Sequence, residues 1–152
     1  MVEGQHVDTF VQSMLDSPCL ATLDREPMLT KPAAAIVSKF IDGYALENGI
    51  YLKINYVNPE HVHALIDLPT SKSIEEVVKL LKGSSSHDIN EQGILRGRFS
   101  WGRGYGAFSV SHSDVGRVAS YIANQERHHH KKTFGEEFEL FVKKYGLEWH
   151  DD

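Results

Sequence analysis

Residues 58 to 69 read N-P-E-H-V-H-A-L-I-D-L-P, which puts His61 and His63 one residue apart inside an apolar stretch. Side chains alternate across a strand, so on an extended segment the two imidazoles share a face and Val62 takes the other. Two imidazoles that close cannot both be cationic cheaply, but as neutral ligands they can share a metal ion. The pair alone equally describes two solvent-facing histidines on an exposed sheet face. A third ligand separates these readings, because catalytic metal sites usually take three protein ligands and keep an open position. The segment from Ser113 to His130 offers one. There Val115, Val118 and Ile122 form an apolar helical stripe, and Asp114, Arg117, Tyr121, Gln125 and His128 fall on the adjacent face. Tyr121 and Gln125, one turn apart, can present a nucleophile and a ligand together. An ordinary packed tyrosine shows the same spacing.

The surrounding chain must hold a strand and a helix against each other. "PAAAIVSKFIDGYALENG" (32–49) reads as a helix, with Pro32 in the first turn, Ile36, Phe40 and Tyr44 at spacing four, and Gly49 as the stop. "IYLKINYV" (50–57) alternates as a half-buried strand does, and Asn58-Pro59 turns it into a second strand, "HVHALIDL". Ser73 and Glu76 make a capping box that opens a helix ending near Gly83. "GYGAFSVS" (104–111) is a third strand, and Ser113 caps the helix at 113–130. Thr133 and Glu136 make another capping box, for a last helix running to about Lys144 with Gly146 behind it. The first strand has to come from "FVQSMLDSPCLATL" (10–23), which alternates poorly and contains Pro18. With it, the order is βαββαβ plus added helices. The expectation is an α+β, ferredoxin-like (RRM-like) antiparallel sheet with helices mainly on one face, and C-terminal helices carrying Tyr121.

At 152 residues, 41% hydrophobic and 24% charged, the chain is one globular domain, 1–152, without repeats or linkers. No membrane-length apolar run or secretory leader is evident, and the single cysteine, Cys19, fits a reducing compartment, so a cytoplasmic location is expected. The net charge of −5 argues against a nucleic-acid partner until its distribution is considered. Residues 72–132 hold ten Lys/Arg against six Asp/Glu, and the rest of the chain six against fifteen. A locally basic face on an acidic protein can still bind phosphates, although the same numbers fit an uneven scatter of surface charge.

"REPMLT", "NPEHVHALI", "VVKLLKGSSS", "WGRGYGAFSVS", "VASYIANQERHHHKKTFGEEF" and "KKYGLEW" occur in this order between about residues 21 and 149. In these motifs the chain resembles the HUH-superfamily single-tyrosine transposases of small bacterial insertion sequences, including their repetitive-palindrome-associated relatives. The resemblance implies that His61 and His63 are the metal ligands, Gln125 the third ligand and Tyr121 the nucleophile. It also implies Mg²⁺ or Mn²⁺ as cofactor and single-stranded DNA with hairpin structure as substrate. A homodimer is implied as well, in which the tyrosine helix of one subunit can serve the histidines of the other. Residues 1–20 depart from the family, whose members begin with a clean apolar strand.

The chemistry suits these residue types. A phenol that ionises near pH 10 is a poor nucleophile at neutrality, and a divalent ion polarising the phosphate offsets this. Attack by Tyr121 would leave a 5′-phosphotyrosine and a free 3′-hydroxyl, a link that conserves the phosphodiester energy. Rejoining then needs no ATP, in keeping with a sequence that contains no phosphate-binding G-x-x-x-x-G-K-[ST] loop. For DNA contacts, Lys82 and Arg103, beside Gly83, Gly102 and Gly104, are favoured, with Lys79 and Trp101 behind them. Phe108, in an alternating strand, is expected in the core. Two other readings stay open: a single-strand-binding remnant that no longer cleaves, and an HUH replication-initiation nuclease. Gln125 in place of a third histidine weighs against the latter.

Overall fold

Along one strand, Val62, Ala64 and Ile66 alternate with His61, His63 and Leu65, and all six are buried. Burial on both sides means that this strand lies in the middle of a sheet with a layer on each face. The computed structural model describes residues 7–14, 29–58, 61–124 and 134–151. Its sheet has five strands: β1 (Val7–Met14), β2 (Tyr51–Val57), β3 (His61–Leu68), β4 (Tyr105–Ser109) and β5 (Glu148–His150). They lie in the order β2-β3-β1-β4-β5, and every neighbouring pair is antiparallel. The first four reproduce the expected ferredoxin-like order. The fifth, a three-residue edge strand that periodicity over so short a stretch does not reveal, was not anticipated.

Helix α1 (Lys31–Glu47) and helix α2 (Ile74–Gln92) cover one face. Val37 and Ile41 of α1 pack with Val57, Val62, Ile89 and Phe99, while Val77 and Val78 of α2 pack with Ala64, Ile66 and Tyr105. The other face carries helix α3 (Val115–Ala123) and helix α4 (Phe134–Tyr145). There Leu65 and Phe108 meet Val118, Ile122 and Phe141, so Phe108 is a core residue as expected.

Four local expectations need correction. The first strand is Val7–Met14, starting upstream of the segment 10–23 and ending before Pro18. It is the middle of five strands, paired with β3 from Val7↔Leu68 to Met14↔His61 and with β4 from Thr9↔Ser109 to Gln12↔Gly106. Alternation identifies half-buried strands and is a poor guide to one enclosed this way. Next, α2 passes through Gly83 and stops at Gly93, whose φ of 63° gives a left-handed cap. The hydroxyls of Ser84, Ser85 and Ser86 bond back to carbonyls three or four residues earlier, and burial of Ile89 anchors the extra turns.

The stripe that seats α1 is Ala33, Val37, Ile41 and Ala45, one position on from Ile36, Phe40 and Tyr44. Its small residues let the helix lie close to the sheet, while Phe40 and Tyr44 stack on each other at 6.0 Å beside it. Finally, Ser113 does not cap α3. A 3₁₀ turn at His112–Asp114 comes first, Ser111 Oγ donates to Asp114 Oδ2 at 3.0 Å, and α3 begins at Val115. The described part of α3 ends at Ala123 with Asn124 as its cap, and residues 125–133, including Gln125, His128 and Thr133, lie outside the described set.

Candidate active site and nucleic-acid surface

The β2–β3 hairpin builds the histidine site. Val57 pairs with Val62, and the Asn58 N–H donates to the His61 carbonyl at 2.8 Å, closing the turn just before the first histidine. Alternation then directs His61 and His63 toward the α3–α4 face, beside Leu65. They are 1% and 0% exposed, which rules out surface histidines. Their rings stand edge to face at 87°, with centroids 4.8 Å apart and Nε2 atoms 3.0 Å apart. In the absence of a cation this contact requires one Nε2 to donate and the other to accept. Two cis ligands on an octahedral ion with bonds of about 2.1 Å sit about 3.0 Å apart. The 3.0 Å spacing is therefore compatible with two imidazoles as cis ligands of one divalent ion.

Helix α3 lies over β2 and β3 and brings Tyr121 to this pair. The phenol ring is half-buried, 6.4 Å from the His63 ring and at 88° to it, within the same chain. Phe141 of α4, 3% exposed, supports both partners: it is 6.1 Å from His63 and 5.2 Å from Tyr121, each in an edge-to-face contact. Tyr121, at the rim of the hydrophobic cluster, is neither engulfed by it nor out of reach of the imidazoles. Sequence reading overlooked two contributors here. Phe141 looks like any apolar helix position, and Asn58 looks like turn punctuation. Yet Asn58 is 2% exposed, and its carboxamide lies 3.1 Å from His61 Nε2. A polar residue at a hairpin corner adjoining H-x-H was the available signal. Among the described residues no three His, Cys, Asp or Glu side chains cluster.

Lys79, Lys82, Trp101 and Arg103 converge as well, but on the opposite face of the sheet. They line one open cleft of about 420 Å³ with Glu75, Val78 and Tyr105. Lys79 and Arg103 are exposed. Lys82 also serves the fold: its Nζ donates to the carbonyls of Gly102 (3.0 Å) and Gly104 (2.9 Å), tying α2 to the loop that bears Arg103. Trp101 is half-buried, with its indole N–H donating to Ser85 Oγ at 2.9 Å and its ring against Phe99. Next to this cleft, Asn90 clamps Phe99 through both of its backbone groups, which fixes the loop that holds Arg96 and Arg98. Among the described residues, no helix is long and apolar enough to cross a membrane.

Comparison with known proteins agrees with this architecture. The chain is 27% identical over 108 residues to the ISDra2 transposase TnpA of Deinococcus radiodurans, covering 66% of this chain and 76% of that protein. The crystal structure of a Deinococcus radiodurans protein described as a transposase superposes with a TM-score of 0.60 at 23% identity, over 82% of this chain and 98% of that one. A REP-associated tyrosine transposase solved with a REP hairpin superposes at 0.59 and 15% identity, over 85% and 71%. The model of the family described as "Transposase IS200 like" matches residues 19–125, most of the chain and the whole span from Cys19 through the histidine pair to Gln125. The chain belongs to this family of IS200-like transposases.

Proposed function

We propose that this transposase is a metal-dependent enzyme that cuts and rejoins single-stranded DNA at hairpin-marked element ends through a 5′-phosphotyrosine on Tyr121. The observation that carries the reading is the meeting of three rings: two imidazole Nε2 atoms 3.0 Å apart, and the phenol of Tyr121 over the second of them. His61 and His63, with Gln125 as third ligand, hold Mg²⁺ or Mn²⁺. When bound, the ion polarises the scissile phosphate and stabilises charge on its oxygens. The strand β3 supplies rigidity, since both ligands are locked in the sheet interior. Phe141 keeps the phenol turned edge-on and limits water around it.

Tyr121 Oη then forms a bond to phosphorus as the bond to the 3′-oxygen breaks. The phenolic proton passes to solvent, and the departing strand leaves with a 3′-hydroxyl. Reversal with a new 3′-hydroxyl joins the strands, and neither direction consumes ATP. The cleft around Lys79, Trp101 and Arg103 binds the DNA backbone and stacks on unpaired bases. A hairpin as the bound form is supported by the relative solved with one. The working unit is a homodimer by family resemblance, in which the tyrosine helix of one subunit can serve the histidine pair of the other. Within one chain the Tyr121 and His63 rings lie 6.4 Å apart.

The test is direct. Incubated with a hairpin oligonucleotide and Mn²⁺, the protein should form a denaturant-resistant adduct, and Tyr121→Phe should form none. An adduct that survives this substitution sinks the assignment.

A further inference from the structure

Asn58 stands out because a primary carboxamide 2% exposed has to be accommodated by its surroundings, and this one faces the histidine pair. Its assigned nitrogen is 3.1 Å from His61 Nε2, which in turn is 3.0 Å from His63 Nε2. Three polar atoms thus lie in a chain, with both spacings close to the separation of cis ligands on a divalent ion. Asn58 and His61 also belong to one rigid unit, because the Asn58 N–H is bonded to the His61 carbonyl.

We propose that Asn58 is a further ligand of the ion held by His61 and His63, donating through its carboxamide oxygen; this rests on the reading that the two histidines bind a divalent cation. The nitrogen and oxygen of a carboxamide exchange places by a half-turn about its last bond. Without a cation, and with His61 Nε2 unprotonated, its lone pair can accept from the NH₂ group. A cation takes that lone pair, so an N–H aimed there faces a positive charge, and the half-turn replaces it with oxygen. An amide oxygen suits Mg²⁺ or Mn²⁺, hard ions that prefer oxygen donors, and being neutral it leaves the full charge for phosphate. The hairpin corner would then supply three donors from the span of residues 58–63, independent of the helix that carries Tyr121.

Calorimetric and paramagnetic-resonance titration of the full chain with Mn²⁺ tests this. Asn58→Leu, similar in size and without a donor, should raise the Kd about ten- to a hundredfold. Asn58→Asp, which keeps an oxygen, should bind at least as tightly as the unaltered protein. A Kd for Asn58→Leu within twofold of the parent overturns the proposal. So does an Asn58→Asp protein as weak as Asn58→Leu, since the N–H would then be acting only to orient His61. The unaltered protein provides a readout free of folding effects: on saturation with Mg²⁺ the ¹³C resonance of the Asn58 carboxamide should shift, and an unmoved resonance overturns the proposal. His61→Ala separates the two levels. Binding lost there but unchanged in Asn58→Leu leaves the histidine reading standing and removes this one, whereas a parent protein that does not bind Mn²⁺ removes both.

Discussion

On the face covered by α3 and α4, His61 and His63 are almost wholly buried and touch through their Nε2 atoms, whereas on the face covered by α2, Lys79 and Arg103 stand in solvent around an open cleft. One strand, β3, contributes to both faces, with its histidines on the first side and Ala64 and Ile66 on the second. The buried side is governed by geometry, since an ångström of misplacement cannot be absorbed by solvent. The open side is governed by charge, which salt screens over roughly 10 Å and which several side chains share. Loss of function should therefore be abrupt on one face and graded on the other.

The largest effect is expected from His63→Ala. If His63 is the metal ligand proposed above, strand cleavage should fall by about a thousandfold or more. Binding of an uncleavable hairpin oligonucleotide should change less than twofold, because the cleft lies across the sheet. Gel assays of nicking and fluorescence anisotropy of binding measure the two separately. Parallel loss of both would mean that the faces are not independent.

Lys82→Met probes the point at which the open face stops being open. The methionine retains most of the apolar stem but loses both carbonyl contacts, to Gly102 and Gly104. Two charge-assisted hydrogen bonds at a half-buried site should stabilise the fold by about 2 kcal/mol. In a chain of this length that is a fall in Tm of roughly 4–8 °C by calorimetry. An unchanged Tm with weakened DNA binding would return Lys82 to the phosphate-contacting role its position in the sequence suggested.

Gly104→Ala tests the same loop through its backbone. Gly104 has φ of 79°, and a Cβ there would come within 2.5 Å of the Trp149 indole nitrogen. Trp149, 37% exposed on the edge strand β5, can swing aside, so the left-handed backbone accounts for most of an expected cost of about 1 kcal/mol. A small drop in Tm should be accompanied by a change in tryptophan fluorescence as the indole moves into water.

The sequence made the α+β class, the succession of elements after Pro32 and the shared face of His61 and His63 legible, because each follows from local periodicity near a strong turn or cap. It also grouped Lys79, Lys82, Trp101 and Arg103, which the fold brings to one cleft. What it concealed depends on partners distant along the chain. Nothing near Lys82 announces that its ammonium will be spent on carbonyls twenty residues later, nor does anything near Gly83 show that three serine hydroxyls and Ile89 will carry the helix on to Gly93. The strand Val7–Met14 was hidden because its place comes from pairing with β3 and β4. Phe141 was hidden because its neighbours His63 and Tyr121 come from two other elements. The spacing of Tyr121 fits either packing or chemistry, and its half-buried position beside His63 satisfies both.

The smallest effect, and the one that sharpens the contrast most, concerns Arg103. It is exposed at the rim of the cleft, so Arg103→Ala should leave the Tm within experimental error. If its guanidinium neutralises one phosphate, the slope of log affinity against log salt for a single-stranded hairpin tail should become shallower by about 0.7, the counterion release of a single contact. The affinity loss should be several-fold at low salt and should fade as ionic strength rises, a dependence that no substitution at His61 or His63 should share. A salt slope identical to that of the parent protein would remove Arg103 from the DNA path and leave Lys79 as the exposed cation of that cleft to be tested next.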